Sequence, residues 1–235
     1  MSAAIGTGPS SASPARSVPV IAIDGPSASG KGTVAERVAR RLGFHYLDSG
    51  AIYRAAALAA QQAGVASDDV AGLTAIATAL PLVCSGGRIL LGGTDVSEAI
   101  RSEPISAAAS AVAAFGPVRA ALLERQRAFR QPPGLVADGR DMGSVVFPDA
   151  LLRVFLTASA RVRATRRHKQ LMEKGLPANL DLILQDLVTR DDRDSRRAVA
   201  PLQAGAPDTV LDSDAMTIDE VVDEVLERYR RAVAI

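Results

Sequence analysis

The chain has 235 residues, 48% of them apolar, 23% charged and 3% aromatic, with a formal net charge of +1. That length fits one domain with inserted lobes, and so neutral an average field argues against a general nucleic-acid binder or a protein of anionic membrane surfaces. One cysteine, Cys84, and two histidines, His45 and His168, exclude an intrachain disulfide framework and multi-Cys metal sites and argue against zinc chemistry.

Residues 1–17 are small, rich in Pro, Gly and Ser, and aperiodic, which predicts a disordered tail. The N-terminus lacks the basic-then-apolar layout of a signal peptide, so a soluble cytoplasmic chain is expected. VPVIAIDG is a short apolar run of the kind buried in a parallel sheet. A Gly-rich turn follows, then TVAERVARRL, where Val34, Val38 and Leu42 recur every four residues beside Ala35 and Ala39, as on an amphipathic helix. HYLDSG reads as a second strand and 51–63 as a second helix. The uncharged run 70–87 is long enough to suggest a membrane span, but Pro81 and Gly86-Gly87 make it a buried helix followed by a strand. LPLVCSGGRILLGG is expected to form an antiparallel hairpin, with Cys84 as a small buried hydrophobe.

SEPISAAASAVAAF reads as a helix with Pro near its first turn, broken at Gly116-Pro117 before the helix VRAALLERQRAF. LVADGRD, LLRVFLTAS and TVLDSD are three more strand candidates, separated by a highly charged segment at 161–197. The closing helix starts with Thr217 and Glu220 at capping-box spacing and carries a core stripe of Ile218, Val221, Val222, Val225, Leu226 and Tyr229. Alternating strands and helices predict an α/β fold. Its frame is a doubly wound parallel sheet with helices on both faces, with the hairpin and the charged helical segment inserted beyond the strand ends.

GPSASGKGT, at 25–33, has the Gly-x-x-x-x-Gly-Lys frame of a phosphate-binding loop, between an apolar strand and a helix. Gly25, Pro26, Ser27, Ala28, Ser29 and Gly30 are expected to wrap an anion in backbone N–H groups, at the N-terminus of the helix opened by Lys31, Gly32 and Thr33. Lys31 carries a compact charge to the β- and γ-phosphates. Gly32 stands where the strict pattern has Ser or Thr, and the hydroxyl comes one residue later at Thr33. No direct protein ligand for Mg²⁺ is therefore assigned: phosphates and water are expected to hold it, with Thr33 and Asp138 as the candidates on the protein.

The GKGT variant, LDSGAIYR (47–54), DGRDMGSVVFPDA (138–150) and RDDRDSRRAVAPL (190–202) occur in order along the chain. Together they resemble nucleoside monophosphate kinases, and specifically the bacterial cytidylate kinases, from about residue 18 to the C-terminus. The resemblance implies transfer of the γ-phosphate of ATP to CMP or dCMP, with Mg²⁺. It implies a core in three pieces (18–64, 118–160 and 198–235), a nucleotide-monophosphate-binding lobe with insertion at 65–117, and a helical lid at 161–197. Carried over by position, Ser49, Tyr53, Arg54 and Arg140 bind the acceptor and its phosphate, and Ser110, Arg119 and Asp141 read the cytosine ring. Asp194 meets the ribose hydroxyls, and Arg190 and Arg197 close over the phosphates. Lys31, Arg140, Arg190 and Arg197 are the expected catalytic set, and the expected partners are the two nucleotides alone, bound by a monomer.

Residue chemistry agrees with these roles, because phosphoryl transfer between polyanions asks for positioning and charge neutralisation, which arginine forks supply. Arg193 is grouped with Arg190 and Arg197 as a site residue, whereas Arg161, Arg163 and Lys174 fit a solvated helix as well as any function. His45, His168 and Cys84 are read as structural or surface residues. Asp212 and Asp214 fit either a nucleotide contact or a turn and capping role. The main rivals are a UMP, AMP or small-metabolite kinase on the same scaffold and a nucleotide-controlled switch. The single Asn, Asn179, is followed by Leu, so the guanine-reading Asn-Lys-x-Asp signature of a GTPase switch is absent.

Overall fold

Every residue of VIAID is buried, the condition of a strand covered on both faces. This strand, β1 (Val20–Asp24), is flanked by β6 (Leu135–Gly139) and β7 (Leu152–Thr157), with β2 (His45–Asp48) and β8 (Thr209–Asp212) at the edges. All four pairings are parallel, so the expected doubly wound sheet is present, with order β2-β6-β1-β7-β8. The computed structural model describes residues 17–85, 87–204 and 207–234. Apart from Ser17, the expected tail lies outside them, as does Gly86 of the hairpin turn.

Side chains of β1 alternate between two cores. Ile21 and Ile23 pack with α1 (Lys31–Leu42) and α8 (Ile218–Val233), through Val34, Ala35 and Val38 on one and Val221, Val222, Val225 and Leu226 on the other. Each buried Val or Leu contributes about 1.5–3 kcal/mol on leaving water, whereas exposed pairs such as Arg37–Asp219 contribute about 1 kcal/mol or less. The apolar seam therefore sets where α1 lies. The capping box at Thr217 and Glu220 forms and starts α8 at Ile218.

Val20 and Ala22 face the second core, which gathers α2 (Ser49–Gln62), α3 (Val70–Thr78), α4 (Glu103–Val112) and α5 (Gly116–Arg127). Helix α2 begins two residues before the expected position because Asp48 caps it, accepting the Ala51 N–H at 2.8 Å. Helix α3 buries only one face, through Leu73 and Ala77. The hairpin forms from β3 (Leu82–Ser85) and β4 (Arg88–Leu91), but a third strand, β5 (Thr94–Asp95), joins it. Two residues are too few to show a period. Cys84 is exposed, contrary to expectation, although its register partner is the buried Ile89: it shares that face but stands next to the end of β3, while Val83 points to the other face.

The charged segment folds as α6 (Ala160–Glu173) and α7 (Leu180–Ser195), packed on each other. No single helix among the described residues is long and apolar enough to cross a membrane. In-register parallel pairing aligns the C-terminal ends of the strands, with Asp24 opposite Gly139 and Asp48 opposite Asp138. The Gly-rich loop leaves β1 at that edge, the usual ligand position in such sheets. Gly25 makes the exit possible: its φ is 154°, and a Cβ there would stand 2.1 Å from the Leu156 carbonyl oxygen. Gly25→Ala is therefore expected to cost about 3 kcal/mol or more in denaturant unfolding. An unchanged midpoint would show that β7 has room to yield.

Candidate active site

The loop turns through left-handed residues, Ala28 at φ 60° and Gly30 at φ 90°. Gly30 caps α1 without a side chain, so the first N–H groups of a 12-residue helix face the loop's interior. Lys31 Nζ reaches back to the Pro26 carbonyl at 3.3 Å. A Cβ on Gly32 would lie 3.2 Å from Asp138 Oδ2 and 3.5 Å from the Tyr46 hydroxyl, and that hydroxyl donates to the same Oδ2 at 2.7 Å. The Asp138–Tyr46 pair thus crowds the side of the helix start where a strict phosphate loop carries Ser or Thr. Burial, with the charge of Asp48 beside it, pushes the Asp138 carboxyl above its ordinary range. Burial, reinforced by Arg140, pushes the Lys31 ammonium down.

The loop opens into a cleft of about 1970 Å³. Ser27, Ala28, Gly30, Lys31, Gly32 and Thr33 line it, whereas Gly25, Pro26 and Ser29 do not. Ser29 is buried with an unpartnered hydroxyl. Ser49, Tyr53, Arg54, Ser110, Arg119 and Asp138 line the same cleft, as do Arg140, Asp141, Arg190, Asp194 and Arg197. The fold thus brings all the expected acceptor-side residues together opposite the loop.

Their charges are unequally matched. Asp194, 1% exposed, accepts from Arg140 Nε at 2.9 Å, from Arg197 Nη2 and from Ser110 Oγ at 3.4 Å. Burial raises its carboxyl, but Arg140 and Arg197 outweigh that and hold it below the ordinary range. Arg140 also donates to Ser27 Oγ at 2.7 Å, tying the acceptor side to the phosphate loop. Arg119 and Asp141 form a buried pair, with the guanidinium carbon 5.7 Å from the centre of the Tyr53 ring. Arg54 pairs with Asp48 at 2.8 Å. Arg190 forms no ion pair among the described residues; burial, with Arg140 and Arg54 nearby, lowers it to about 10. A cleft with more buried cation than anion is built to receive negative charge.

Two residues of the charged segment are anchored on the loop: Arg163, for which the sequence left a solvated face and a function open, and Arg166, which the sequence did not single out. Arg163 is buried, donating to the Ser27 carbonyl at 3.0 Å and the Ala158 carbonyl at 2.9 Å and pairing with Asp191 at 2.5 Å. Arg166 reaches the Ser29 and Ser213 carbonyls. Nothing in the local sequence separated them from Arg161, which is exposed, because their partners lie far along the chain. Lys174 pairs with Glu98 at 3.5 Å. Arg193, by contrast, is exposed and outside the cleft. On α7, Arg190 and Asp194 stand one turn apart and both line the cleft, and Arg197 follows just beyond the helix end. Asp212 and Asp214 take the turn and capping roles, accepting the Asp214 and Ser159 N–H groups at 2.9 and 2.7 Å. His45 is exposed beside the Pro132 carbonyl, and His168 sits half-buried on α6.

The family model described as cytidylate kinase matches residues 21–231, which include every site residue described above. The chain belongs to the cytidylate kinase family. A cytidylate kinase of Burkholderia cenocepacia (strain HI2424) is 58% identical over 217 residues, 92% of this chain and 95% of that protein. One from Paraburkholderia phymatum is 56% identical over 220 residues, 94% of this chain and 96% of that protein. A gluconokinase structure from Sinorhizobium meliloti 1021, 20% identical, covers 92% of this chain and 94% of that one at a TM-score of 0.46.

In this member of the cytidylate kinase family, Arg163 joins α6 to the phosphate loop. Arg163→Ala strands two carbonyls and leaves Asp191 unpaired, so it is expected to cost about 3–5 kcal/mol in denaturant unfolding. Arg163→Lys, which lacks the planar fork, should recover less than half of that. A loss under about 0.5 kcal/mol would show that α6 is held by other contacts.

Proposed function

We propose that this cytidylate kinase transfers the γ-phosphate of ATP to CMP or dCMP, giving ADP and CDP or dCDP. The observation that carries the proposal is the gathering of two cationic, anion-binding groups in one cleft: the phosphate loop with Lys31, and Arg54, Arg140, Arg190 and Arg197. Two such groups in one cleft suit a reaction in which one polyanion hands a phosphoryl group to another.

Lys31 and the loop amides hold the triphosphate. Arg54, Arg140, Arg190 and Arg197 grip the acceptor's phosphate and neutralise the charge that spreads over the phosphoryl oxygens in the transition state. Arg140 suits the midpoint, since its hydrogen bonds reach both Ser27 in the loop and Asp194. Asp141 faces the exocyclic amine of cytosine, with Arg119 and Ser110 at the ring's acceptors. Uracil has a carbonyl where cytosine has the amine, and the Asp141 carboxylate repels it. Asp194 meets the ribose hydroxyls, and Ser49 and Tyr53 flank the acceptor. No side chain is assigned as a general base, because positioning and charge carry the step.

Among the described residues, no three His, Cys, Asp or Glu side chains converge as a metal cage. Asp138 and Thr33 nevertheless suit Mg²⁺, which keeps most of its water and phosphate ligands and needs one or two protein oxygens. Asp138 and Thr33 would hold Mg²⁺ on the protein side, and the ion would supply positive charge to offset that of the phosphates.

A coupled assay with ATP and Mg²⁺ across CMP, dCMP, UMP and AMP tests the reading. CMP and dCMP are expected to turn over fastest; turnover of AMP at an equal rate would overturn the specificity, and no transfer to any monophosphate would overturn the activity. Lys31→Ala is expected to lower kcat by about 100-fold or more while the protein remains folded. A variant that stays active would remove the loop from the mechanism.

A further inference from the structure

We infer that Asp24 is a positioning residue for the base pocket: it caps the turn that follows Asp141 and so leaves the Asp141 carboxylate free to face the nucleotide. The inference rests on the assignment of Asp141 to the cytosine amine.

Asp24 is the last residue of β1 and is buried. Its Oδ1 accepts the Met142 N–H at 2.8 Å and its Oδ2 accepts the Gly143 N–H at 2.8 Å. These are the first two N–H groups of a short π-helical turn, Met142–Val146, and the first N–H groups of any helical turn have no partner inside it. Asp141 stands at the N-cap of that turn, where an Asp side chain ordinarily accepts just such N–H groups. Here it makes no capping bond. Its Oδ2 goes to Arg119 instead, and the cap is supplied from another strand by a residue 118 positions from Met142.

The consequence is a division of labour between two buried carboxylates. Were the Gly143 N–H left open, Asp141 at the N-cap would be the side chain placed by sequence to accept it, and capping its own turn would draw it from Arg119 and from the cleft. Asp24 removes that competition. Because Asp24 also precedes Gly25, the base pocket and the phosphate loop are hung from the same strand end.

Asp24→Asn tests this with little change of shape. The amide keeps one carbonyl acceptor but turns an NH₂ donor toward one of the two N–H groups, so Asp141 is expected to swing into the cap. KM for CMP should rise about tenfold and the preference for CMP over UMP in kcat/KM should fall about tenfold, while KM for ATP stays within about twofold. Asp141→Asn alone should also lose the preference, and adding Asp24→Asn to it should lower the preference no further. If Asp141→Asn keeps the preference, the base-reading assignment fails and the inference fails with it. If Asp141→Asn loses it but Asp24→Asn keeps it, the positioning role alone is overturned. Equal losses toward ATP and CMP would also overturn it, since a merely structural role moves both. Thermal unfolding reports whether Asp24→Asn is folded; if it is not, Asp24→Ser, smaller and still an acceptor, is read by the same three ratios.

Discussion

Two arginines share one buried carboxylate, and the cleft is organised around that shortage of negative charge. Asp194, near the C-terminal end of α7, receives Arg140 from the residue after β6 and Arg197 from just beyond α7. A buried ion left without a partner costs several kcal/mol, so the three groups hold one another in place. They also hold the helix. Only Leu187 and Asp194 of α7 are buried, so apolar packing contributes little to its position, and the polar cluster fastens it to the sheet edge. The Leu202 N–H donates to the Asp194 carbonyl at 2.8 Å, which extends the same anchor to the segment beyond.

The phosphate loop shows how one small residue follows from its neighbours. Gly32 looks like a missing ligand when it is compared with a strict loop pattern. The structure puts Asp138 Oδ2 and the Tyr46 hydroxyl beside its α-carbon instead. A side chain at that position would press on a buried carboxylate whose other close neighbours, Asp48 and Lys31, are charged. The absence of a hydroxyl and the presence of Asp138 are thus one arrangement, in which the polar atom comes from the adjacent strand.

How much of this the sequence could disclose depends on the range of the interactions. Local periodicity was enough for β1, α1 and α8, since Val34, Val38, Val221 and Val225 repeat at helical spacing and are all buried. The phosphate loop was legible because its residues are contiguous, and the acceptor residues were legible through motif resemblance, which brought Arg54, Arg140 and Asp194 to one cleft without geometry. Long-range contacts left no local trace. Arg163 and Arg161 have the same composition around them, yet only Arg163 meets the Ser27 carbonyl, 136 positions away. Arg193 was overvalued for the converse reason: it adjoins Asp194 in sequence, yet it is exposed and stands outside the cleft that Asp194 lines. Cys84 lay in an apolar run and does share a face with the buried Ile89, but its place near the end of β3 leaves it exposed.

A common rule links these cases. Charged side chains in this cleft are oriented by carboxylates whose own geometry is set by backbone. Asp48 caps α2 through the Ala51 N–H with one oxygen and holds Arg54 with the other. Asp24 spends both oxygens on backbone N–H groups and leaves the neighbouring Asp141 to Arg119. Those N–H groups belong to the starts of α2 and of the 142–146 turn, so Asp48 and Asp24 are held by backbone, and Asp48 passes that placement on to Arg54. Long flexible arginines alone would lose rotamer freedom at each contact with substrate. Arginines already held by capped carboxylates have given it up on folding, so the net charge of +1 conceals a cleft whose cations are in place before any anion arrives.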